Sequence, residues 1–155
     1  MKIKCVTKKK ADTVIIEQFW NAAINAKEAG FDGVELHGAD GYLPDQFLGS
    51  TSNKHIRGGS VENRSRFILE TTKSLASVWG ADRVAVKSSP TGGYNDMGMP
   101  LEETLESFRY LIMELDAIKV AYLALARYIK MSLFRRKRQS PPREIFIPTT
   151  YYWSI

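Results

Sequence analysis

At 155 residues the chain has a one-domain length, large enough for a real hydrophobic core. No apolar run reaches the ~18 residues of a membrane span, and a single cysteine, Cys5, excludes an internal disulfide framework. The net charge of +5 is unevenly divided: residues 1–118 hold 14 Lys/Arg and 16 Asp/Glu, whereas residues 119–155 hold 8 Lys/Arg and one Glu, so a near-neutral body leads into a basic tail.

The N-terminal segment, residues 1–12, is basic but has no apolar stretch behind it, and reads as no secretory signal. With the lone cysteine, this gives a cytoplasmic expectation. Residues 13–29 have the spacing of a helix, with Ile15, Phe19, Ala22, Ala26 and Ala29 on one face, Asp12 as N-cap and Gly30 just past the C-terminus. Phe31 to Leu36 read as a strand apolar enough for burial on both faces, as in a parallel sheet. Residues 38–60 form a long loop rich in turn residues, the kind that carries binding or lid functions.

Ser60 caps a second helix, 61–79, with Val61, Ile68, Leu75 and Trp79 on one side and Gly80 ending it. Arg83 to Ser88 form a second strand, and a second Gly-rich loop spans Pro90 to Gly98. Pro100 opens a third helix, with Glu102 and Glu103 suited to its positive end and a stripe of Leu101, Leu105, Phe108, Ile112 and Leu115. A third strand follows at about 118–125. Helix and strand alternate three times, which predicts an α/β fold with parallel strands, either a doubly wound sheet or part of a (β/α)8 barrel. Beyond residue 126 the period is lost, and no docked element is assigned to that irregular basic tail.

Chemistry in either fold collects at the C-terminal ends of strands, and two such ends carry polar groups. His37, Asp40 and Tyr42 lie within six positions of one another. An imidazole can hydrogen-bond a substrate oxygen, and a tyrosine hydroxyl can deliver a proton. Equally, His37 could satisfy a local hydrogen bond while Tyr42 packs. Lys87 ends an otherwise apolar strand, where a cation needs a partner, an anionic ligand or an exit to solvent. Two histidines, His37 and His55, without a Cys/His cluster argue against metal binding. No P-loop or GxGxxG fingerprint is present. The run FRRKR up to Arg138 has the form of a polyanion patch, and residues 121–138 that of a basic amphipathic helix, but neither is specific enough to call for a nucleic-acid partner or a membrane surface.

Longer words in the chain are more specific. AKEAGFDGVELHGADGYLPDQFL, SNK, GGSVENRSRFILE and VAVKSSPTGGYNDM, in this order over about residues 14–125, closely resemble the old yellow enzyme family, which includes the 12-oxophytodienoate reductases. The resemblance implies an FMN-dependent ene-reductase on a (β/α)8 barrel, using NAD(P)H and acting on small enone-type substrates. It implies that His37 and Asp40 bind the substrate's activating oxygen, that His37 also helps to hold the flavin, that Lys87 meets the flavin's pyrimidine edge, and that Tyr42 protonates the alkene carbon.

Three departures accompany it. Asp40 stands where the family usually has Asn or His, and Lys87 where it usually has Arg. After Lys54 the chain reads HIRGGS, two residues shorter than the family's usual RTDEYGGS. A (β/α)8 barrel takes about 250 residues. The resemblance accounts for only about three strands with their helices, over residues 13–125, and the tail, residues 126–155, matches none of the family pattern. Three readings follow: an ene-reductase by descent whose isolated chain is inactive, with the missing strands absent or supplied by another chain; a non-catalytic truncated or pseudogene-derived fragment; and a half-barrel scaffold whose basic tail binds an anionic surface.

Overall fold

A computed structural model describes residues 8–54, 59–92, 95, 97–131 and 145–153. Cys5, His55, the shortened loop at 55–58 and the FRRKR run lie outside the described residues. In chain order the elements are α1 (Lys8–Glu28), β1 (Val34–Gly38), α2 (Leu43–Leu48), α3 (Val61–Trp79), a 3₁₀ turn (Ala81–Arg83), β2 (Val84–Ser88), α4 (Leu101–Ile118), β3 (Tyr122–Met131) and β4 (Ile145–Trp153).

The strands form one sheet in the order β1-β2-β3-β4. The first three are parallel, with His37 opposite Lys87 and Lys87 opposite Ala124. This is the α/β arrangement of part of a (β/α)8 barrel, as the helix–strand alternation predicts. β4 is antiparallel to β3, from Leu123↔Trp153 to Met131↔Ile145. β3 therefore runs past the expected end at residue 125, and the apolar end of the tail forms a strand where the lost period had suggested no element. Pairing with a neighbouring edge needs no helical or alternating pattern, so period alone did not expose it.

α3 is the central helix. Val61, Ile68, Leu75 and Trp79 are all buried on it, as their spacing predicts. The Phe67 ring stacks on Phe47 at 4.3 Å and meets Phe19 edge-on at 6.4 Å, and Trp79 Nε1 donates to the Ala23 carbonyl at 3.1 Å. The core beneath the sheet is built from Leu36, Val84, Val86 and Leu123 against Ile68, Leu111 and Leu115. Ser60 caps α3 by accepting the Asn63 N–H at 3.3 Å. Ser60→Ala is expected to lower the unfolding free energy by about 0.5–1 kcal/mol, read from the urea midpoint.

Several boundaries move for local reasons. α1 begins at Lys8, so Asp12 sits inside the helix and is not its cap. Gly30, at φ +86°, ends it in a Schellman turn, with Phe31 N–H on the Ala26 carbonyl and Gly30 N–H on the Lys27 carbonyl. That turn uses up residues 29–31, so β1 starts at Val34 and Phe31 is exposed. β1 is not buried on both faces: Leu36 and Gly38 face the helices, while Glu35 and His37 are exposed on the other side. The α4 stripe is also corrected. Phe108, Leu111 and Leu115 are buried, but Leu101, Leu105 and Ile112 are exposed, because α4 packs on α3 along one side only. α2, inside the expected long loop, is a six-residue helix too short for periodicity to reveal.

Candidate active site at the strand ends

β1 and β2 end side by side, and their last side chains on the exposed face are His37 and Lys87. After Gly38 the chain must turn sharply away. Asp40 and Gly41 both take positive φ, 61° and 77°, and Tyr42 N–H bonds the Ala39 carbonyl at 3.1 Å. That is a type I′ turn, the geometry an Asp-Gly pair favours. Glycine is required at 41 for a second reason: a Cβ there would lie 2.9 Å from both Asn95 Cβ and Met97 Cγ. Pro44 then fits the first turn of α2.

The turn brings all four sequence-derived candidates together. Asp40 Oδ2 lies 3.6 Å from Lys87 Nζ and 4.0 Å from His37 Nε2. The His37 and Tyr42 rings are 4.6 Å apart at 43°. Lys87 is thus partly buried and paired with a carboxylate, and does not simply reach into solvent. Tyr42 is 57% exposed. Asp40 Oδ1 is buried without a hydrogen-bond partner among the described residues, so the site holds an acceptor that a ligand's donor would satisfy.

Three further residues hold this arrangement, and none of them stands in a local sequence pattern that marks its role. Asp45, on α2, is 5% exposed; its Oδ2 accepts the Gly41 N–H at 2.9 Å and the Ser89 hydroxyl at 3.3 Å. Ser89, just past β2, in turn accepts the Asp40 N–H at 2.9 Å. Asn95 Nδ2 donates to the Asp40 carbonyl at 2.8 Å. The Asp-Gly pair in the sequence is a turn signal that could have directed attention to such anchors.

Burial pushes the Asp45 carboxyl from its ordinary 3.8 up to about 6; the nearby Asp40 charge adds to this, and the Gly41 and Ser89 hydrogen bonds partly offset it. Because the folded value lies above the ordinary one, the stabilising contribution of Asp45 is full below about pH 4 and is lost as pH rises through about 6. The total is about 3 kcal/mol, so near neutral pH the fold tolerates a buried, ionised carboxylate against its own stability.

In βα-barrels the C-terminal ends of the parallel strands are where functional side chains collect, and His37 and Lys87 lie at two such ends. The chain belongs to the NADH:flavin oxidoreductase / NADH oxidase family, whose sequence profile matches residues 3–145. That match extends past the motif-bearing stretch at both ends. The chain is similar to aldehyde reductase FrzD of a Cladobotryum species, at 46% identity over 114 residues, covering 72% of this chain and 30% of that protein. It is equally similar to a protein of Epichloe festucae var. lolii named "Probable inactive reductase easA", at 47% identity over 114 residues, covering 72% and 30%. The fold is similar to that of the Old Yellow Enzyme from Pichia sp. AKU4542, with TM-score 0.71, 34% identity, and coverage of 80% of this chain and 34% of that one. The chain therefore spans about a third of the length of the relatives it matches. Among the described residues, no helix is long and apolar enough to cross a membrane.

Proposed function

We propose that this chain forms the substrate-side wall of an FMN-dependent, NAD(P)H-using reductase of activated alkenes. The observation that carries this is the convergence of His37, Asp40, Tyr42 and Lys87 on one face at the ends of β1 and β2. The electron-rich pyrimidine edge of a flavin takes hydrogen-bond donors and positive charge, and His37 and Lys87 offer both from paired strand positions. The residues present fit that edge of the cofactor. When bound, FMN supplies hydride chemistry that amino-acid side chains lack. His37 Nε2 then donates to the carbonyl or nitro oxygen of the substrate and polarises the alkene. Tyr42 Oη delivers the proton to the alkene carbon from the open side of the site.

A (β/α)8 barrel needs eight strands around its axis, and three parallel strands make one wall. The 155-residue chain by itself is therefore expected to purify without flavin absorbance and to show no NADPH-dependent enone reduction; bound flavin with turnover would overturn this. The wall itself is tested in a chimera in which residues 14–125 replace the matching segment of the Pichia enzyme. Flavin binding with enone reduction supports the catalytic reading.

A second reading, a non-catalytic descendant, has its own support. The Asp40 carboxylate faces Lys87 at 3.6 Å and offsets the charge that the cofactor edge would need. Relatives named as a reductase and as an inactive reductase also match this chain at nearly the same identity. A chimera that binds flavin but does not reduce enones would favour this reading.

A further inference from the structure

We propose that Asp45 and Ser89 form a buried positioning pair that locks the turn after β1 to the loop after β2, and so sets Asp40 and Tyr42 against His37 and Lys87. The inference rests on the proposed function for its catalytic meaning, but its geometry stands apart from it. Both N–H groups of the two-residue turn point at this pair: Gly41 N–H bonds Asp45 Oδ2 directly at 2.9 Å, and Asp40 N–H bonds Ser89 Oγ at 2.9 Å. The Ser89 hydroxyl donates its own proton to the same Asp45 Oδ2, at 3.3 Å. One carboxylate oxygen thus ties α2, the turn after β1 and the loop after β2 together.

Asp45 and Ser89 are 5% and 6% exposed, so solvent does not compete for these bonds. Neither touches the reacting face, and both act through residues that do. The turn they hold fixes where the Asp40 carboxylate sits between His37 and Lys87, and where the Tyr42 ring meets His37. The charged groups facing this pair are Asp40 across the turn and, beyond Asp40, Lys87 and His37. An ionised Asp45 accepts both bonds strongly. A protonated one accepts them more weakly and loses its hold on Gly41. The turn is therefore tight above the Asp45 titration and looser below it, and the site's geometry becomes pH-linked through a residue that never contacts substrate.

The test uses the whole 155-residue chain and needs neither flavin nor turnover, so its failure is distinguishable from failure of the enzymatic reading. Proton–nitrogen NMR follows the Gly41 and Asp40 amides and the Tyr42 ring between about pH 4.5 and 7.5, across the range in which a raised carboxyl titrates. In the wild type, the Gly41 amide proton and the Tyr42 ring are expected to share an inflection near pH 6. Asp45→Asn keeps the shape and a carbonyl acceptor but cannot titrate, and is expected to flatten both curves without lowering stability above that pH. Ser89→Ala should move the Gly41 inflection upward, because Ser89 helps to keep Asp45 ionised, and should abolish the response of the Asp40 amide. His37→Gln removes the ring that packs on Tyr42, and the Tyr42 inflection should persist in it. A Tyr42 profile that is flat in the wild type, unchanged in Asp45→Asn, or lost in His37→Gln would overturn the proposal.

Discussion

Replacing Tyr42 by Phe in the flavin-binding chimera is expected to slow enone reduction by about 10²–10⁴-fold while leaving reduction of the flavin by NAD(P)H unchanged. The split follows from what the hydroxyl does. Tyr42 stands on the open side of the face, its ring packed at 4.6 Å on His37. Phe keeps that ring contact, so the position of His37 and the turn are preserved. What is lost is the hydroxyl that the proposed function casts as the proton donor beside the His37 imidazole. Transfer of hydride from the nicotinamide needs no proton from Tyr42, so that half-reaction serves as an internal control. Stopped-flow measurement of the two half-reactions separates them. If the alkene step proceeds at the unmodified rate, the proton comes from elsewhere and Tyr42 is a packing residue.

The strand ends were legible because the motifs there combine two kinds of signal. HGADGYLPDQFL holds the candidate acid–base residues and also the Asp-Gly turn and the proline that place them, so local chemistry and local geometry coincide. Parallel register did the rest: it put Lys87 beside His37, 50 positions away in sequence. What stayed hidden depends on contacts that no local pattern encodes. The role of Asp45 is invisible until α2 folds back under the turn and Ser89 arrives from the next strand. The exposure of Leu101, Leu105 and Ile112 likewise depends on what lies beyond α4, which a helical stripe cannot state. β4 is the extreme case, since it exists through its pairing with β3 and has no periodicity of its own.

Asp40→Asn is expected to act in the opposite direction from most active-site substitutions, tightening enone binding to the chimera by roughly tenfold to a hundredfold, or about 1.5–3 kcal/mol. Two effects add. An ionised carboxylate accepts hydrogen bonds only, so beside a substrate carbonyl it repels the oxygen that His37 is meant to hold. Asparagine presents an N–H donor in the same place. The carboxylate also engages Lys87 at 3.6 Å, and an amide would release that cation toward the cofactor edge. The backbone raises no objection, because Asn accepts the +61° φ that Asp40 adopts. Titrating enone into the oxidised chimera and following the flavin spectrum gives the affinity directly. Lys87→Met in the Asp40→Asn background then apportions the gain: a benefit that survives comes from the donor, and one that disappears comes from the freed charge. Weaker binding in Asp40→Asn would mean that Asp40 does not face the substrate oxygen. Its pairing with Lys87 would then be the point of the residue, which is what a wall that has given up catalysis would keep.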